Sequence, residues 1–399
     1  MAKVMSVNCG SSSVKFKLYE MPEEKVLCSG IVERIGHDDG IFTIKFDGNK
    51  ETKVLPVPDH GYAVDIVVKG MLEKKIISHL DEIKAVGHRV VQGGSYFSHS
   101  VLWNEDTVQK VASLIPLAPL HNKAHLTGYE AFKKVLPNVP QVAVFDTAFH
   151  QSMEEEDYTY PIPYEYTEKY QIRRYGAHGT SHKYLSEVGE KFIPEAKDKR
   201  MIICHLGSGA SITATKHGKC VATSMGLTPL GGIMMNSRTG DMDPSVYYQI
   251  VAMSGKDNET VFQELNKKSG LLGVSGISND SRDVEDAARK GDKHAILAMK
   301  LWARRVADFI GQYYVRLGGC DLIIFSAGIG ENAPDYREIV LDNIAEALGV
   351  RYSKDLDAQM VGGKEGLIST PDSKIKVAVI PTDEEVMIAR DAYNICLKK

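Results

Sequence analysis

Short runs of apolar residues alternate along the chain with longer stretches whose apolar positions recur every three or four residues. The short runs fall at residues 4–7, 14–18, 142–145, 201–206, 322–325 and 377–380. Runs of this length, bounded by glycine and polar residues, predict buried strands. The clearest helical spacing covers 296–317, where Trp302, Val306, Phe309, Ile310, Tyr313 and Leu317 share one face. Gly318 and Gly319 end that helix and an apolar strand follows at once. Such alternation predicts α/β layers. The runs at 14–18, about 26–32 and about 41–46 have no helix between them, which predicts antiparallel pairing at the start. A last helical stretch, about 384–397, is expected to pack back on the first half.

One weak repeat organises this pattern. Asn8, Cys9, Gly10 and three serines follow an apolar strand and lead into another. His205, Leu206, Gly207, Ser208, Gly209, Ala210 and Ser211 do the same in the second half. Two such units predict two related domains whose turns face one another across a cleft. The boundary is expected near residue 150, before the polar stretch 151–157, giving domains 1–150 (with 385–399 packing on it) and 151–384.

A chain of 399 residues supports two cores of ordinary size. The balance of 43% hydrophobic and 25% charged residues is that of a globular protein, and a net charge of -4 offers no general attraction to nucleic acid or membrane. Any anion site must be built locally. Cys9, Cys28, Cys204, Cys220, Cys320 and Cys396 form no CxxC pair and no zinc spacing, so they read as buried free thiols of a reducing, cytoplasmic compartment. No leader pattern and no long apolar span is apparent.

Against that background the two glycine–serine turns stand out. Glycine lets backbone N–H groups approach phosphate oxygens and serine adds donors. Neither turn is a Walker loop. Singly, each is more often a hairpin. A third glycine cluster, residues 325–332, follows a strand and precedes a helix that Pro334 can start; it suits a nucleotide but lacks the dinucleotide spacing. Arg89 and Arg238 are each framed by small residues and turn formers, so a carboxylate or phosphoryl group could reach the guanidinium; a surface ion pair is the alternative for each. His178, between small residues, is the histidine best placed to touch a transferring group, while His88, His150 and His182 read as structural. Asp146 ends an apolar strand and Glu384 follows one; magnesium would need such hard oxygen ligands, though Glu384 could equally serve a helix N-terminus.

Taken in order, these blocks resemble the acetate kinase family, within the sugar kinase–actin–heat-shock ATPase superfamily. The resemblance runs through NCGSSSVK (8–15), APLHN (118–122), VFDTAFH (144–150), TSMGLTPL (223–230) and AGIGEN (327–332), together with the segments at 88–94, 173–182, 205–211, 237–244 and 381–385. It implies two actin-like ATPase domains, each a mixed sheet flanked by helices, and magnesium-dependent transfer of phosphate from ATP to acetate, giving acetyl phosphate and ADP. It implies catalytic roles for Asp146, His178, Arg238, Arg89 and His121, and a substrate pocket of Arg89, Val91, Leu120, Ala177 and Pro229. Ser11, Ser13 and Lys15 match the first phosphate turn, and His205, Gly207, Ser208 and Gly209 the second. Asp280, Arg282, Gly328, Ile329, Gly330, Glu331 and Asn332 match the nucleoside segments. Asn8 and Glu384 would serve magnesium or manganese. A homodimer that binds a small carboxylate and a nucleotide, and neither nucleic acid nor membrane, is the family's expectation.

The departures bear on specificity. Ala177 stands where relatives usually carry Phe, which suggests room for propionate or larger acids. Ser208, Gly231, Asn236, Gln92 and Ser95 replace a usual Asn, Glu, Gly, His and Glu, of which Ser208 and Asn236 bear on the phosphoryl donor. A propionate or butyrate kinase, a pyrophosphate-dependent enzyme and, in another class, a nucleotide-gated binding protein are the alternative readings. The glycines at 328 and 330 favour ATP over pyrophosphate, and retention of Arg89, Asp146, His178, Arg238 and Glu384 together favours an enzyme. A carboxylate is already ionised at neutral pH, so positioning and charge neutralisation would suffice without a strong base. The glycines around 226–240 are expected to assist closure.

Overall fold

The structure, a computed structural model, describes residues 1–119 and 121–398. The chain divides into two compact units, Met1–Phe149 with Asp383–Lys399, and His150–Thr382. The first contains β1 (Ala2–Cys9), β2 (Ser13–Met21), β3 (Lys25–Glu33), β4 (His37–Phe46), β5 (Asn49–Val57), β6 (Ile83–Val90), β7 (Val101–Leu102) and β8 (Gln141–Phe145). The second contains β9 (Met201–Leu206), β10 (Ala210–Lys216), β11 (Lys219–Thr223), β12 (Leu322–Ser326), β13 (Gly366–Leu367) and β14 (Lys376–Val379).

Antiparallel pairing at the start is observed. β1 to β5 form a meander, in which Val14, Phe16 and Leu18 of β2 are buried while Lys15 faces solvent, the two-residue period of a half-buried strand. Lys50, Lys53 and Pro56 blunt the edge at β5. β1, β6 and β8 then run parallel, and β8 is buried along its whole length, as a strand covered on both faces must be. Helix Glu384–Cys396 lies on this sheet so closely that a Cβ at Gly87 would sit 2.5 Å from the Ile388 side chain.

The second unit has the order β11-β10-β9-β12-β14-β13. Six strands of the first sheet, β3-β2-β1-β6-β8-β7, show the same succession of antiparallel, antiparallel, parallel, parallel and antiparallel neighbours. The glycine–serine turns occupy equivalent places, between β1 and β2 and between β9 and β10. Both sheets are mixed and flanked by helices, the α/β layering expected from the hydrophobic pattern. Helix Lys293–Leu317 ends at Gly318, with φ +66°, and fully buries Trp302. Full burial of so large an apolar side chain stabilises by roughly 3 kcal/mol.

Three local expectations are corrected. Residues 327–332 are a short helix, Ala327–Asn332, rather than an open turn. Ala327 enters it at φ +62°, and the Glu331 carboxylate accepts the Ala327 N–H at 2.7 Å, closing the turn from inside. The glycines of 226–240 are pinned rather than loose. Gly232 donates to the Asp241 carboxylate at 2.7 Å, and a Cβ at Gly240 would lie 2.5 Å from the Gly232 carbonyl. Cys396 is only half-buried, although all six cysteines are free thiols. No helix among the described residues is long and apolar enough to cross a membrane.

Candidate active site

In the first unit the candidate groups gather at the carboxyl ends of β1, β6 and β8. Ligands of parallel sheets bind at these ends. Arg89 is the penultimate residue of β6 and Asp146 follows β8, its N–H bonded to the Val90 carbonyl at 2.9 Å. The Arg89 guanidinium donates to the Asp146 carboxylate at 2.6, 3.0 and 3.1 Å. Burial works against the Arg89 charge, but Asp146 and Glu384 outweigh it and hold the guanidinium firmly protonated. Asn8 lies near the end of β1.

Glu384 is the first residue of its helix, but the cap is Asp383, which accepts from the Val386 N–H at 3.0 Å. The Glu384 side chain is left to the cluster. Burial pushes its carboxyl up to about 7, with Asp146 and Glu385 adding repulsion and Arg89 and Lys15 opposing it. A cation here would relieve that strain. Among the described residues no three His, Cys, Asp or Glu side chains are grouped to hold a metal. Glu384 and Asn8 therefore suit magnesium only in its usual manner, with phosphate and water completing the shell.

His121 precedes helix Asn122–Val135, and His125 lies one turn on. Burial holds the His125 imidazole neutral down to about 3, and the charges of Arg89 and His121 add to the effect. Val91 is buried in the loop after β6. That loop is held by Asn122, which donates to the Gln92 carbonyl at 2.9 Å and accepts from the Gln92 N–H at 3.2 Å. Leu120 lies outside the described residues. In the first turn Gly10 donates to the Ser13 carbonyl at 2.8 Å, while Ser11 and Lys15 are exposed.

In the second unit a cavity of 630 Å³ is lined by Ser208, Gly209, Arg238, Asp280, Arg282, Gly328, Ile329 and Asn332 of the expected set, and also by Asn236, Asn279 and Glu285. Its volume suits a nucleotide. Asp280 and Arg282 pair with each other at 2.5 Å, which holds the Asp280 carboxyl down at about 2. Gly330 and Glu331 stand behind the wall. The Gly330 carbonyl accepts from the buried Arg337, and Glu331 also accepts the Thr382 N–H at 3.1 Å.

Arg238 is the decisive side chain of this unit. It is half-buried, its hydrogen bonds go to the Pro229 carbonyl at 3.3 Å and the Met235 sulfur at 3.8 Å, and no carboxylate among the described residues pairs with it. Burial alone acts on its charge, lowering its pKa. A Cβ on Gly209 would lie 3.3 Å from Arg238 Nη1 and 3.6 Å from His178 Nε2, so the glycine turn, the guanidinium and the imidazole share one corner. His178 has φ +60°, a left-handed conformation that a non-glycine residue rarely adopts, and strain of this kind collects at functional sites. Its ring stacks on His205 with centroids 4.2 Å apart. Ala177 is buried in the apolar core of this unit with Met225 and Met234.

The sequence matches the model of the acetokinase family over residues 3–390. The chain belongs to that family. It is 50% identical to the acetate kinase of Bacillus subtilis (strain 168) over 396 residues, covering 99% of this chain and 100% of the relative. The solved acetate kinase of Porphyromonas gingivalis superposes with a TM-score of 0.94 at 43% identity, covering 99% of this chain and 100% of that one. A propionate kinase from Francisella tularensis subsp. tularensis SCHU S4 superposes with a TM-score of 0.92 at 42% identity, with the same coverage. The protein is thus a kinase of the acetokinase family. In this acetokinase, reasoning from residue types missed Asn122, His125, Ser211, Glu285 and Arg337. Asn122 and Ser211 lay within quoted blocks, but Arg337 had no local signal at all.

Proposed function

We propose that this acetokinase transfers the γ-phosphoryl of ATP reversibly to acetate by direct in-line attack. One observation carries the reading. A half-buried guanidinium without a counter-ion among the described residues, Arg238, borders a nucleotide-sized cavity beside a glycine turn. Desolvating a charge without a partner is costly, and an arriving anion offsets that cost.

In this mechanism a carboxylate oxygen of acetate attacks the γ-phosphorus while the bond to the bridging oxygen of ADP breaks. The acid is ionised at neutral pH, so no proton needs to be removed. Arg89, held in place by Asp146, orients the carboxylate, with Val91 and Pro229 as apolar neighbours of its methyl group. Arg238 neutralises charge on the phosphoryl oxygens and the His178 ring donates a hydrogen bond to them, the main source of acceleration in such transfers. His121 supports Arg89. The N–H groups of the turn at Gly207–Gly209 hold the phosphates, with Ser11, Ser13 and Lys15 as the complementary set. Magnesium, or manganese, held by Glu384 and Asn8, would supply charge neutralisation on the β- and γ-phosphates.

The cavity favours a nucleoside triphosphate over pyrophosphate, since Asn279, Asp280 and Glu285 line space that pyrophosphate would leave unfilled. A cytoplasmic homodimer is part of the proposal. Helix Pro244–Ser254 buries none of its residues and leaves Tyr248 and Met253 70% and 83% exposed, a surface that a second copy could cover. Hydroxamate trapping of the acyl phosphate with acetate, propionate and butyrate, each with ATP, GTP and pyrophosphate, tests the reading. Acetate with ATP should give the highest kcat/KM, with propionate close behind because of Ala177. Absence of acyl hydroxamate with every acid would reject it.

A further inference from the structure

Behind His178 lies a buried chain of rings and hydroxyls. His178 Nδ1 is 2.9 Å from Ser211 Oγ, and His182 Nε2 is 2.7 Å from the same oxygen. Ser211 is fully buried in β10, directly opposite His205 in β9. One hydroxyl therefore stands between two imidazoles, and it has a single proton to donate.

Hydrogen-bond accounting decides which ring receives that proton. His182 is fully buried, and burial, reinforced by His150 and His205, holds it neutral. Its Nδ1 has no hydrogen-bond partner among the described residues. A proton on Nδ1 would be an orphaned buried donor, whereas a bare Nδ1 is only an unused acceptor, the less costly of the two. The His182 proton thus belongs on Nε2, donated to Ser211 Oγ. The Ser211 hydroxyl then points to His178 Nδ1, which must be bare, and the His178 proton sits on Nε2. That nitrogen faces the Gly209 turn and Arg238.

We propose that Ser211 is a positioning residue that fixes His178 as the Nε2–H tautomer, so that the ring presents a donor and not a lone pair to the transferring phosphoryl. The proposal rests on the reading of His178 given above. A lone pair at Nε2 would repel phosphoryl oxygens, while an N–H stabilises them as charge develops. His182 enters as the group that dictates the direction of the Ser211 proton.

Nitrogen-15 NMR of the full-length enzyme with labelled histidine tests this, with His178 assigned by its loss in His178→Asn. The wild-type ring should show a pyridine-type Nδ1 and a pyrrole-type Nε2. Ser211→Ala should move both signals toward a mixture of tautomers and lower kcat by about tenfold or more, with both KM values within about twofold. Ser211→Thr, which keeps the hydroxyl, should restore both. A wild-type Nδ1–H tautomer, or unchanged His178 signals in a folded Ser211→Ala, overturns the proposal. Should Ser211→Ala not fold, the wild-type spectrum decides by itself. Full turnover by His178→Asn would instead remove His178 from the reaction, whatever tautomer the spectrum shows.

Discussion

Arg89 and Asp146 leave adjacent parallel strands at their carboxyl ends and join through three contacts of 2.6, 3.0 and 3.1 Å. Strand register makes the pair possible, because Val90 stands opposite Phe145. Asp146 is fully buried, so the pair is both an anchor for Arg89 and a liability if broken. Asp146→Leu should cost on the order of 3 kcal/mol in urea denaturation, since Arg89 keeps its charge without its hydrogen-bonded carboxylate. Adding Arg89→Met should recover most of that stability and none of the turnover. Equal stability of the single and double variants would show that the pair is not the source of the loss.

Arg238 should behave in the opposite way. Its charge is desolvated without a counter-ion among the described residues, so Arg238→Met removes a cost instead of creating one. The expected result is an unchanged or higher Tm, nearly unchanged ATP affinity by calorimetry, and a kcat lower by roughly 10²-fold or more. A clear drop in Tm would mean that the guanidinium is structural.

Acid should destabilise the fold through its buried histidines. Burial holds His88 and His150 neutral down to about 4, and His125 down to about 3, against an ordinary value of 6.5. Between those values the unfolded chain binds more protons, so stability falls as pH drops from 6.5 toward 4 and is complete above 6.5. His88→Gln keeps a partner for Gln141 but cannot titrate. The difference in unfolding free energy between wild type and this variant should shrink by about 2 kcal/mol from pH 7 to pH 5. Parallel stability curves for the two proteins would assign the acid limb to other groups.

Arg337 connects core packing with the nucleotide segment. It is fully buried, bonds Asp357 at 2.6 Å and donates to the Gly330 carbonyl at 2.9 Å. Arg337→Met should destabilise by about 3 kcal/mol, and Arg337→Met with Asp357→Leu should regain much of it. Both variants should raise the KM for ATP more than that for acetate, because the helix Ala327–Asn332 loses its tether in each. A normal KM for ATP in the double variant would separate the clamp from nucleotide binding.

Much of the architecture was readable from local pattern. The strand runs, the helix that stops at Gly318 and the helix begun by Pro334 all depend on neighbours within a few residues. The helix Ala327–Asn332 was not readable, because a glycine-rich segment reads as a turn until Glu331 folds back onto the Ala327 N–H. Asp280 and Arg282 looked available to a ligand, and the structure pairs them with one another.

The ordered blocks of residues alone determined the family, the α/β layering and which side chains were candidates, since periodicity and residue chemistry are properties of the chain itself. Only the tertiary structure decided that Arg89 has a carboxylate partner while Arg238 has no carboxylate partner among the described residues, that Glu384 is enclosed among like charges, and that one hydroxyl lies between His178 and His182. Burial, counter-ions and hydrogen-bond direction are set by groups brought together from distant parts of the chain, and no local pattern encodes them.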